Sequence, residues 1–556
     1  MPLSLVVALY MSMQYIKNCV KITLFEILKC KVNCMGLKDS KKVKRILAKC
    51  RKTFFPLNIH LFLSLYPKIM LNKKELRQFK LMSNNLEETY KNVLLDSPFF
   101  FAKTLKAHIA WLNSSEFKSK YGENPYITPP PPISDCNPKT QYFPLLNPTL
   151  FDYEKTQSSI AYHYNMPLPR YYNFIYMATY GAGYQAMKKF FEYCGVCVAE
   201  LWTGNIEPQL EYEHFYNTLV NNREKYCIIY LSGRNLYGRE KLFSLIDSHV
   251  PLLIIARDPI SIYRPIVNHL GEREYQYECT LKTDYRIFLD SIRYWINPTA
   301  PSLDALESEE SCDENGVTAL SIQRRAKALK HVSKIQYIAF NEILETQAFA
   351  TFQRLAKEYG FMPPKERDIF EAKVNGGMLL GLLPRVLIVR ECDMPFMFRG
   401  QENENLAIKD SKDSHMDNEV EYRIIITTPQ IQSLDNYVDI SKNLNIAIPF
   451  QNLYLLMTKD SFAKLQTKQE LFKATREYLQ GFLKELENRA NIENNKRLDE
   501  NDILERFRQD SILAMKYKKI FDKELAHIKE NRPDIVASWD YYQGFERICE
   551  NIESHI

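Results

Sequence analysis

Short apolar segments alternate with amphipathic ones along the chain from Tyr171 onward. Apolar runs of strand length lie at residues 172–177, 227–231, 252–256 and 336–340. Segments with apolar residues at helical spacing lie at residues 184–193, 239–248, 285–295 and 346–359. Strands that alternate with helices are typical of a parallel sheet, because parallel strands need long crossover connections. The sequence therefore predicts an α/β fold, with a parallel sheet flanked by helices.

Changes in composition divide the 556 residues into four predicted regions. These are a basic helical N-terminal region, a proline-rich linker, an α/β domain and a helical C-terminal region, at residues 1–123, 124–169, 170–467 and 468–556. Acidic stretches at residues 301–316 and 401–419 are predicted surface insertions in the α/β domain. Four consecutive prolines at 129–132 favour an extended, semi-rigid spacer. Several units are expected, because a chain of this length exceeds one hydrophobic core.

The net charge of +6 hides an uneven distribution. Residues 1–80 hold 17 Lys and Arg against Glu26, Asp39 and Glu75, a net charge of +14, so the remainder carries −8. The cationic helix predicted at residues 39–52 is either a solvated lysine face or a surface for an anionic membrane or a protein partner. No nucleic-acid partner is expected, because no recognised binding motif accompanies the charge.

Cysteine use and the first residues of the chain indicate the compartment. The 12 cysteines are scattered, which favours a reducing, cytoplasmic location. Residues 1–16 carry no charge, but they are too few for a membrane-spanning helix and lack signal-peptide features. The basic region adds the hypothesis of a peripheral association with the inner membrane. The Cys194-Gly195-Val196-Cys197 motif has no second ligand pair nearby, so no metal site is predicted.

A glycine-containing loop, Thr179-Tyr180-Gly181-Ala182-Gly183, connects the first predicted strand to an amphipathic helix. Two glycines at such a turn allow the backbone to approach an anion, and amides at a helix N-terminus bind phosphate oxygens. The predicted ligand-binding residues are Gly181, Ala182, Gly183 and Tyr184. The sheet is therefore expected to be P-loop-like, but the Lys-Ser/Thr pair that would position Mg²⁺ is missing. Alternatively, the glycines only ease a tight turn.

A second candidate segment, Arg257-Asp258-Pro259, follows the strand predicted at residues 252–256. Ligands of open parallel sheets lie beyond the carboxyl ends of the strands, which places Arg257 in the binding crevice. A guanidinium group has the fork geometry and permanent charge that suit phosphate or sulfate. Asp258 is predicted either to orient Arg257 or to cap the helix that begins at Pro259. A simple ion pair between Arg257 and Asp258 is the alternative.

Together with residues 335–361, these two segments resemble the P-loop sulfotransferases, which transfer sulfate from the nucleotide PAPS without a metal. In the third segment, a strand, the sequence Phe340-Asn341-Glu342-Ile343 and a following helix resemble that family's strand, Glu-x-Leu motif and C-terminal helix. The resemblance implies that the glycine loop holds the 5′-phosphosulfate of a PAPS-type nucleotide. It also implies that Arg257 holds the 3′-phosphate together with Ser261 or Arg264.

The chain departs from the sulfotransferase pattern at three points. No Lys or Arg stands before the helix that follows the glycine loop, and Lys188 lies a turn further along. The serine that the family places seven or eight residues after the arginine is missing, since Arg264 stands there and Ser261 comes earlier. No motif identifies the general base. The catalytic candidates are His269 and Glu272, with His163 as a further candidate.

The end of the chain carries a second resemblance. Residues 532–546 resemble the closing motif of an uncharacterised family of Campylobacter- and Helicobacter-type bacteria, and the expected extent of the resemblance is residues 170–552. Two further segments resemble recurrent elements of that family: Arg257-Asp258-Pro259-Ile260 and Asn268-His269. This resemblance implies a fold and a lineage but no reaction. Helical spacing predicts core packing for Trp539, Tyr542 and Phe545.

The leading hypothesis is a sulfotransferase-like group transferase that uses a PAPS-type donor and a bacterial surface glycan or glycolipid precursor as acceptor. The alternative is a non-catalytic nucleotide-binding or scaffold protein with a degenerate P-loop-like fold. A nucleotide-sugar glycosyltransferase ranks last, because no obvious Asp-x-Asp metal motif is present. A cation that reaches Gly183 from Lys188, Arg234 or Arg239 would favour catalysis, and its absence would favour the alternative.

Overall fold

The chain forms two compact units, Met1–Met166 and Pro167–Ile556. The computed structural model describes residues 71–123, 142–179, 181–201, 207–231, 239–271, 278–290, 292–308, 320–329, 331–371, 382–393, 420–427, 436–450 and 453–555. The helix predicted at 39–52, the four prolines at 129–132 and the acidic stretch at 401–419 lie outside these residues.

The described part of the first unit is helical. Helices α1 to α5 are Lys73–Asn85, Glu87–Asp96, Pro98–Leu112, Ser115–Tyr121 and Ser158–His163. Their starts follow from local sequence: Asn72 and Glu75 form a capping box before α1, and Pro98 stands in the first turn of α3. Residues 142–169, assigned to the linker from the sequence, contain α5, and Phe143 is buried there.

Among its described residues, the second unit contains two sheets. Strands β1 to β10 are Phe174–Met177, Cys197–Ala199, Cys227–Leu231, Leu252–Ala256, Glu278–Thr280, Ile335–Ala339, Arg385–Val389, Tyr422–Thr427, Tyr437–Asp439 and Tyr454–Thr458. The first sheet is parallel, in the order β2-β3-β1-β4-β6. Strands β1, β3 and β4 are buried along their whole length, as a sheet covered on both faces requires. The parallel sheet predicted from the sequence is confirmed.

Helices of the second unit flank both sheets. Helices α6 to α20 are Tyr184–Tyr193, Pro208–Asn221, Glu240–Leu245, Pro259–Val267, Tyr285–Leu289, Ile322–Ala328, Ala348–Tyr359, Arg367–Glu371, Lys459–Gln466, Gln469–Asn495, Glu500–Gln509, Ser511–Glu524, Ala526–Asn531, Pro533–Ala537 and Asp540–Glu553. Trp539, Tyr542 and Phe545, at and within the start of α20, are buried as their spacing predicts. None of the helices in the described ranges is long and apolar enough to cross a bilayer.

The second sheet has the order β5-β7-β8-β10-β9 and is mixed. Strand β5 pairs with β7 in parallel, and the other pairs are antiparallel. Its buried residues, such as Leu387 and Ile424, share a core cluster with Leu479 and Phe482 of the long helix α15. In the first sheet, Met177 of β1 pairs with Ile254 of β4, so the segments that follow these strands leave the sheet side by side.

Candidate functional site

The loop between β1 and α6 has two glycines in backbone conformations that favour glycine. Gly181 has a φ of +72° and Gly183 has a φ of +76°. Gly183 immediately precedes α6, and no described side chain caps that helix. Gly183 has no side chain with which to cap the first amides of α6, and amides at the start of a helix attract anions. The amide of Ala182 already donates to the carbonyl oxygen of Thr179 at 3.3 Å.

Close contacts also require glycine at both positions. A Cβ atom on Gly181 would lie 2.6 Å from Cγ of Pro265 in α9. A Cβ atom on Gly183 would lie 2.5 Å from Cδ1 of Ile343, in the turn after β6. These contacts explain both glycines without a ligand. Evidence for a binding site must therefore come from the charged side chains around the loop.

The guanidinium group of Arg257, at the end of β4, lies against the glycine loop. Its Nη1 donates a hydrogen bond to the carbonyl oxygen of Gly181, and its Cζ is 4.3 Å from the centroid of the Phe340 ring. Burial lowers the pKa of Arg257, and the carboxylate of Glu500 acts in the opposite direction. Among the described residues, the hydrogen bond to Gly181 occupies one of five N–H donors, which leaves the others for an anionic ligand.

A second guanidinium group, that of Arg325 in α11, holds the start of the same loop. Its Nη2 donates to the carbonyl oxygen of Ala178 at 3.1 Å, and its Nε donates to that of Ser321 at 2.9 Å. Arg325 is 1% exposed, and burial lowers its pKa to about 10. Sequence reasoning missed this residue, because nothing around it distinguishes it from the neighbouring Arg324.

Tyr184, the first residue of α6, is fixed by a tyrosine from β3. The hydroxyl of Tyr230 donates to the carbonyl oxygen of Tyr184, and the two ring centroids are 4.8 Å apart. Tyr230 is buried. This contact sets the orientation of the first turn of α6, and it too had no signal in the sequence.

One carboxylate holds both residues that were predicted to share a phosphate with Arg257. The Oγ of Ser261 donates to Oε1 of Glu500 at 2.9 Å. The Nη1 of Arg264 lies 3.4 Å from Oε1 and 3.3 Å from Oε2 of the same side chain. Glu500 is the first residue of α16 and is 6% exposed. The structure thus brings the predicted cluster together and adds an acidic group that the sequence did not predict.

Asp258 caps two helices. Its Oδ1 accepts a hydrogen bond of 2.9 Å from the amide of Ile260 at the start of α9. Its Oδ2 accepts hydrogen bonds of 3.1 Å from the amides of Tyr541 and Tyr542 at the start of α20. Burial raises the pKa of Asp258, and these amides oppose the rise. The capping role predicted for α9 is confirmed, and the cap on α20 is an addition.

The contacts described for Lys188 and Arg239 are with carboxylates near β2 and α7. The Nζ of Lys188 donates to Oε2 of Glu200 at 2.8 Å, and the Nε of Arg239 donates to Oε2 of Glu211 at 3.1 Å. Arg234 lies outside the described residues. Both described ion pairs are with carboxylates outside the glycine loop.

The candidate general bases stay predictions. Glu272 lies outside the described residues. His269 is exposed, with its ring centroid 6.3 Å from that of Trp295, and His163 belongs to α5 of the first unit. Within the described ranges, no group of three or more His, Cys, Asp or Glu side chains is placed to hold a metal ion.

Residues 337–552 match the model of a family described as a protein of unknown function (DUF2972). Searches of curated proteins and of solved structures find no match. The family match supports an uncharacterised domain over the later part of the extent expected from the sequence, residues 170–552. It begins within β6, so it includes Phe340 and Glu500 but neither the glycine loop nor Arg257.

Proposed function

We propose that the second unit binds the phosphate or sulfate group of a nucleotide in the crevice formed by the glycine loop and Arg257. The observation that carries this proposal is the position of the Arg257 guanidinium group, hydrogen-bonded to Gly181 and stacked on Phe340. The start of α6 supplies a partial positive charge through the helix dipole and Arg257 supplies a full one, and both lie at the same loop.

The order of the strands supports this location. From β1 the chain passes to β2 and β3 on one side of β1, and then to β4 and β6 on the other side. Ligands of open parallel sheets bind at the carboxyl edge, at the point where the strand order changes direction. The glycine loop and Arg257 follow the two neighbouring strands, β1 and β4, that border this point.

The resemblance to P-loop sulfotransferases extends the proposal to a PAPS-type donor and to sulfate transfer without a metal. The glycine loop and Arg257 fit the phosphosulfate end of such a donor. Ser261 and Arg264 fit its 3′-phosphate only after Glu500 releases them. The proposed acceptor is a bacterial surface glycan or glycolipid precursor, the proposed bases are His269 and Glu272, and the proposed location is cytoplasmic, at an anionic inner-membrane surface.

Isothermal titration calorimetry with adenosine 5′-monophosphate and adenosine 3′,5′-bisphosphate tests the binding proposal. Arg257→Ala should weaken binding about tenfold or more, the ratio expected for the loss of a hydrogen bond to a charged group. Arg286→Ala is the matched control, because it removes the same charge from an exposed side chain paired with Asp284, and it should bind normally. Absence of binding by the folded wild-type chain, or unchanged binding by Arg257→Ala, would refute the proposal.

A second candidate is a non-catalytic nucleotide-binding or scaffold protein, favoured by the pairing of Lys188 with Glu200. A cation at the loop would stabilise the transferring sulfuryl group, and this pairing takes Lys188 out of that role. Incubation with PAPS and candidate glycolipid acceptors distinguishes the two functions. Acceptor-dependent release of adenosine 3′,5′-bisphosphate that Arg257→Ala abolishes identifies a transferase, whereas binding without release identifies the second candidate.

A further inference from the structure

Helix α16 brings a carboxylate into the cluster on α9. Glu500 accepts a hydrogen bond of 2.9 Å from Ser261 and pairs with Arg264 at 3.3 Å. The side chain of Glu500 is 7% exposed and that of Arg264 is 37% exposed, so the carboxylate is the buried partner and the arginine covers it. A serine hydroxyl and a guanidinium group are donors that would hold a phosphate, and here a carboxylate accepts from both.

The position of Glu500 is fixed by its neighbours on both sides. The side-chain amide of Asn268 donates to the carbonyl oxygen of Leu498 at 2.9 Å, and the amide of Leu498 donates back to Oδ1 of Asn268 at 3.0 Å. Asp499 caps α16 by accepting from the amides of Asn501 and Asp502. These contacts anchor the backbone before Glu500 to the end of α9. The carboxylate of Glu500 is therefore held next to Ser261 and Arg264.

The carboxylate of Glu500 interacts electrostatically with Arg257. Burial lowers the pKa of Arg257; the negative charge of Glu500 opposes this shift and the positive charge of Arg264 adds to it, so the three charged groups lie within electrostatic range of one another. Pro265, one residue after Arg264, borders Gly181 of the glycine loop. The cluster that Glu500 occupies is therefore adjacent to the proposed binding loop.

We propose that Glu500 is a specificity-determining residue of the crevice, an internal anion that occupies the position of a ligand's second phosphate between Ser261 and Arg264. This inference rests on the proposed nucleotide-binding function. A nucleotide with one anionic group binds beside Arg257 and leaves Glu500 in place. The second phosphate of a bisphosphate meets like-charge repulsion from this carboxylate, which keeps Ser261 and Arg264 from binding it.

Two ligands and three forms of the full chain test the proposal by calorimetry. The ligands are adenosine 5′-monophosphate and adenosine 3′,5′-bisphosphate, and the forms are wild type, Glu500→Gln and the control Glu493→Gln. Glu493 is also a buried carboxylate paired with two cations, Arg489 and Lys496, but on α15. Glu500→Gln should bind the bisphosphate about tenfold more tightly or better, and the gain in monophosphate affinity should be much smaller. The control should leave both affinities unchanged.

Ser261→Ala supplies an independent measurement that does not depend on the folding of Glu500→Gln. While Glu500 holds Ser261, the second phosphate gains nothing from this hydroxyl, so Ser261→Ala in the wild-type background should not weaken bisphosphate binding relative to monophosphate binding. A selective loss would show that Ser261 already holds the phosphate and would overturn the inference. Equal effects of Glu500→Gln on both ligands would also overturn it while leaving the proposed function intact. Failure of every folded form to bind either nucleotide would overturn both.

Discussion

The interior of the first unit contains a histidine that the fold keeps neutral. The Nδ1 of His108 lies 2.7 Å from the carbonyl oxygen of Leu145, and its Nε2 lies 2.6 Å from the hydroxyl of Tyr90. A carbonyl oxygen only accepts, so Nδ1 carries the proton and Nε2 accepts from Tyr90. His108 is 1% exposed, and burial lowers its pKa to about 4.

The first unit should lose stability as the pH falls from 6.5 towards 4. In that window the unfolded chain binds a proton at His108 and the folded chain does not, so protons favour unfolding and the full stability is present only above pH 6.5. The free energy of unfolding should fall by about 2 kcal/mol between pH 6.5 and pH 5. Urea unfolding of the wild type and of His108→Asn, followed by tryptophan fluorescence at each pH, measures this dependence through the difference between the two.

His108→Asn is the informative variant, because its amide can still donate to the Leu145 carbonyl oxygen but does not titrate in this range. It should lose the dependence on pH, whatever its stability at pH 7. His249→Asn is the control, since His249 is exposed. If the wild type and His108→Asn lose equal stability between pH 6.5 and 5, His108 is not the responsible group.

Single residues of the candidate site were predictable where their chemistry shows in the local sequence. Arg257 directly after a strand and Asp258 directly before Pro259 are such cases, and the structure places Arg257 at the loop and Asp258 at a helix cap. Glu500 could not be found in this way, because it lies 236 residues from Arg264 in the chain and only the tertiary fold brings them together. Arg325 is buried by the packing of α11, which no local pattern shows.

At the scale of elements, two helix ends have glycines with the same backbone conformation and different surroundings. Gly183 precedes α6 with a φ of +76°, and Gly360 follows α12 with a φ of +84°. An added Cβ at Gly183 would lie 2.5 Å from Ile343 and 3.1 Å from the ring of Phe340, whereas an added Cβ at Gly360 would have nothing within 4 Å. Alanine substitutions at Gly183 and Gly360 therefore distinguish the cost of backbone strain, which both positions share, from the cost of steric overlap, which only Gly183 has.

Gly360→Ala should lower the free energy of unfolding by about 1 kcal/mol, the cost of a left-handed conformation alone. Gly183→Ala should cost about 3 kcal/mol, because steric overlap adds to the same strain. It should also weaken nucleotide binding, since the Phe340 ring that must move is the one stacked on Arg257. Urea unfolding and calorimetry measure the two effects. Equal losses of stability for Gly183→Ala and Gly360→Ala would show that Ile343 and Phe340 move aside for the added methyl group at no energetic cost.

Elements were predictable in proportion to their length and burial. Strands β3 and β4 lie at the predicted residues, and β1 and β6 within a residue or two, because each is a mainly apolar run of strand length. Strands β2 and β5 have three residues each, too few for a pattern. The division of the later strands into a second sheet was not predicted, because pairing between β5 and β7 joins segments more than a hundred residues apart.

At the scale of the whole molecule, the family match and the fold have different boundaries. The match begins at residue 337, inside the edge strand β6. The matched region therefore includes most of β6 but not β4, its partner in the parallel sheet. This boundary also separates aromatic side chains that share one core. The ring of Phe370 lies 4.6 Å from that of Phe190, and the ring of Tyr359 lies 4.5 Å from that of Phe174.

A fragment of residues 337–552 should therefore not reach the folded state that residues 167–556 reach, because the fragment exposes the apolar surface that β1 and α6 cover. The longer fragment corresponds to a compact unit of the chain and should unfold cooperatively when followed by circular dichroism. The shorter one should bind a hydrophobic dye, aggregate and melt without a cooperative transition. A cooperative melt of residues 337–552, with native-like aromatic circular dichroism, would show instead that the matched region is a self-sufficient domain to which the glycine loop and Arg257 have been added.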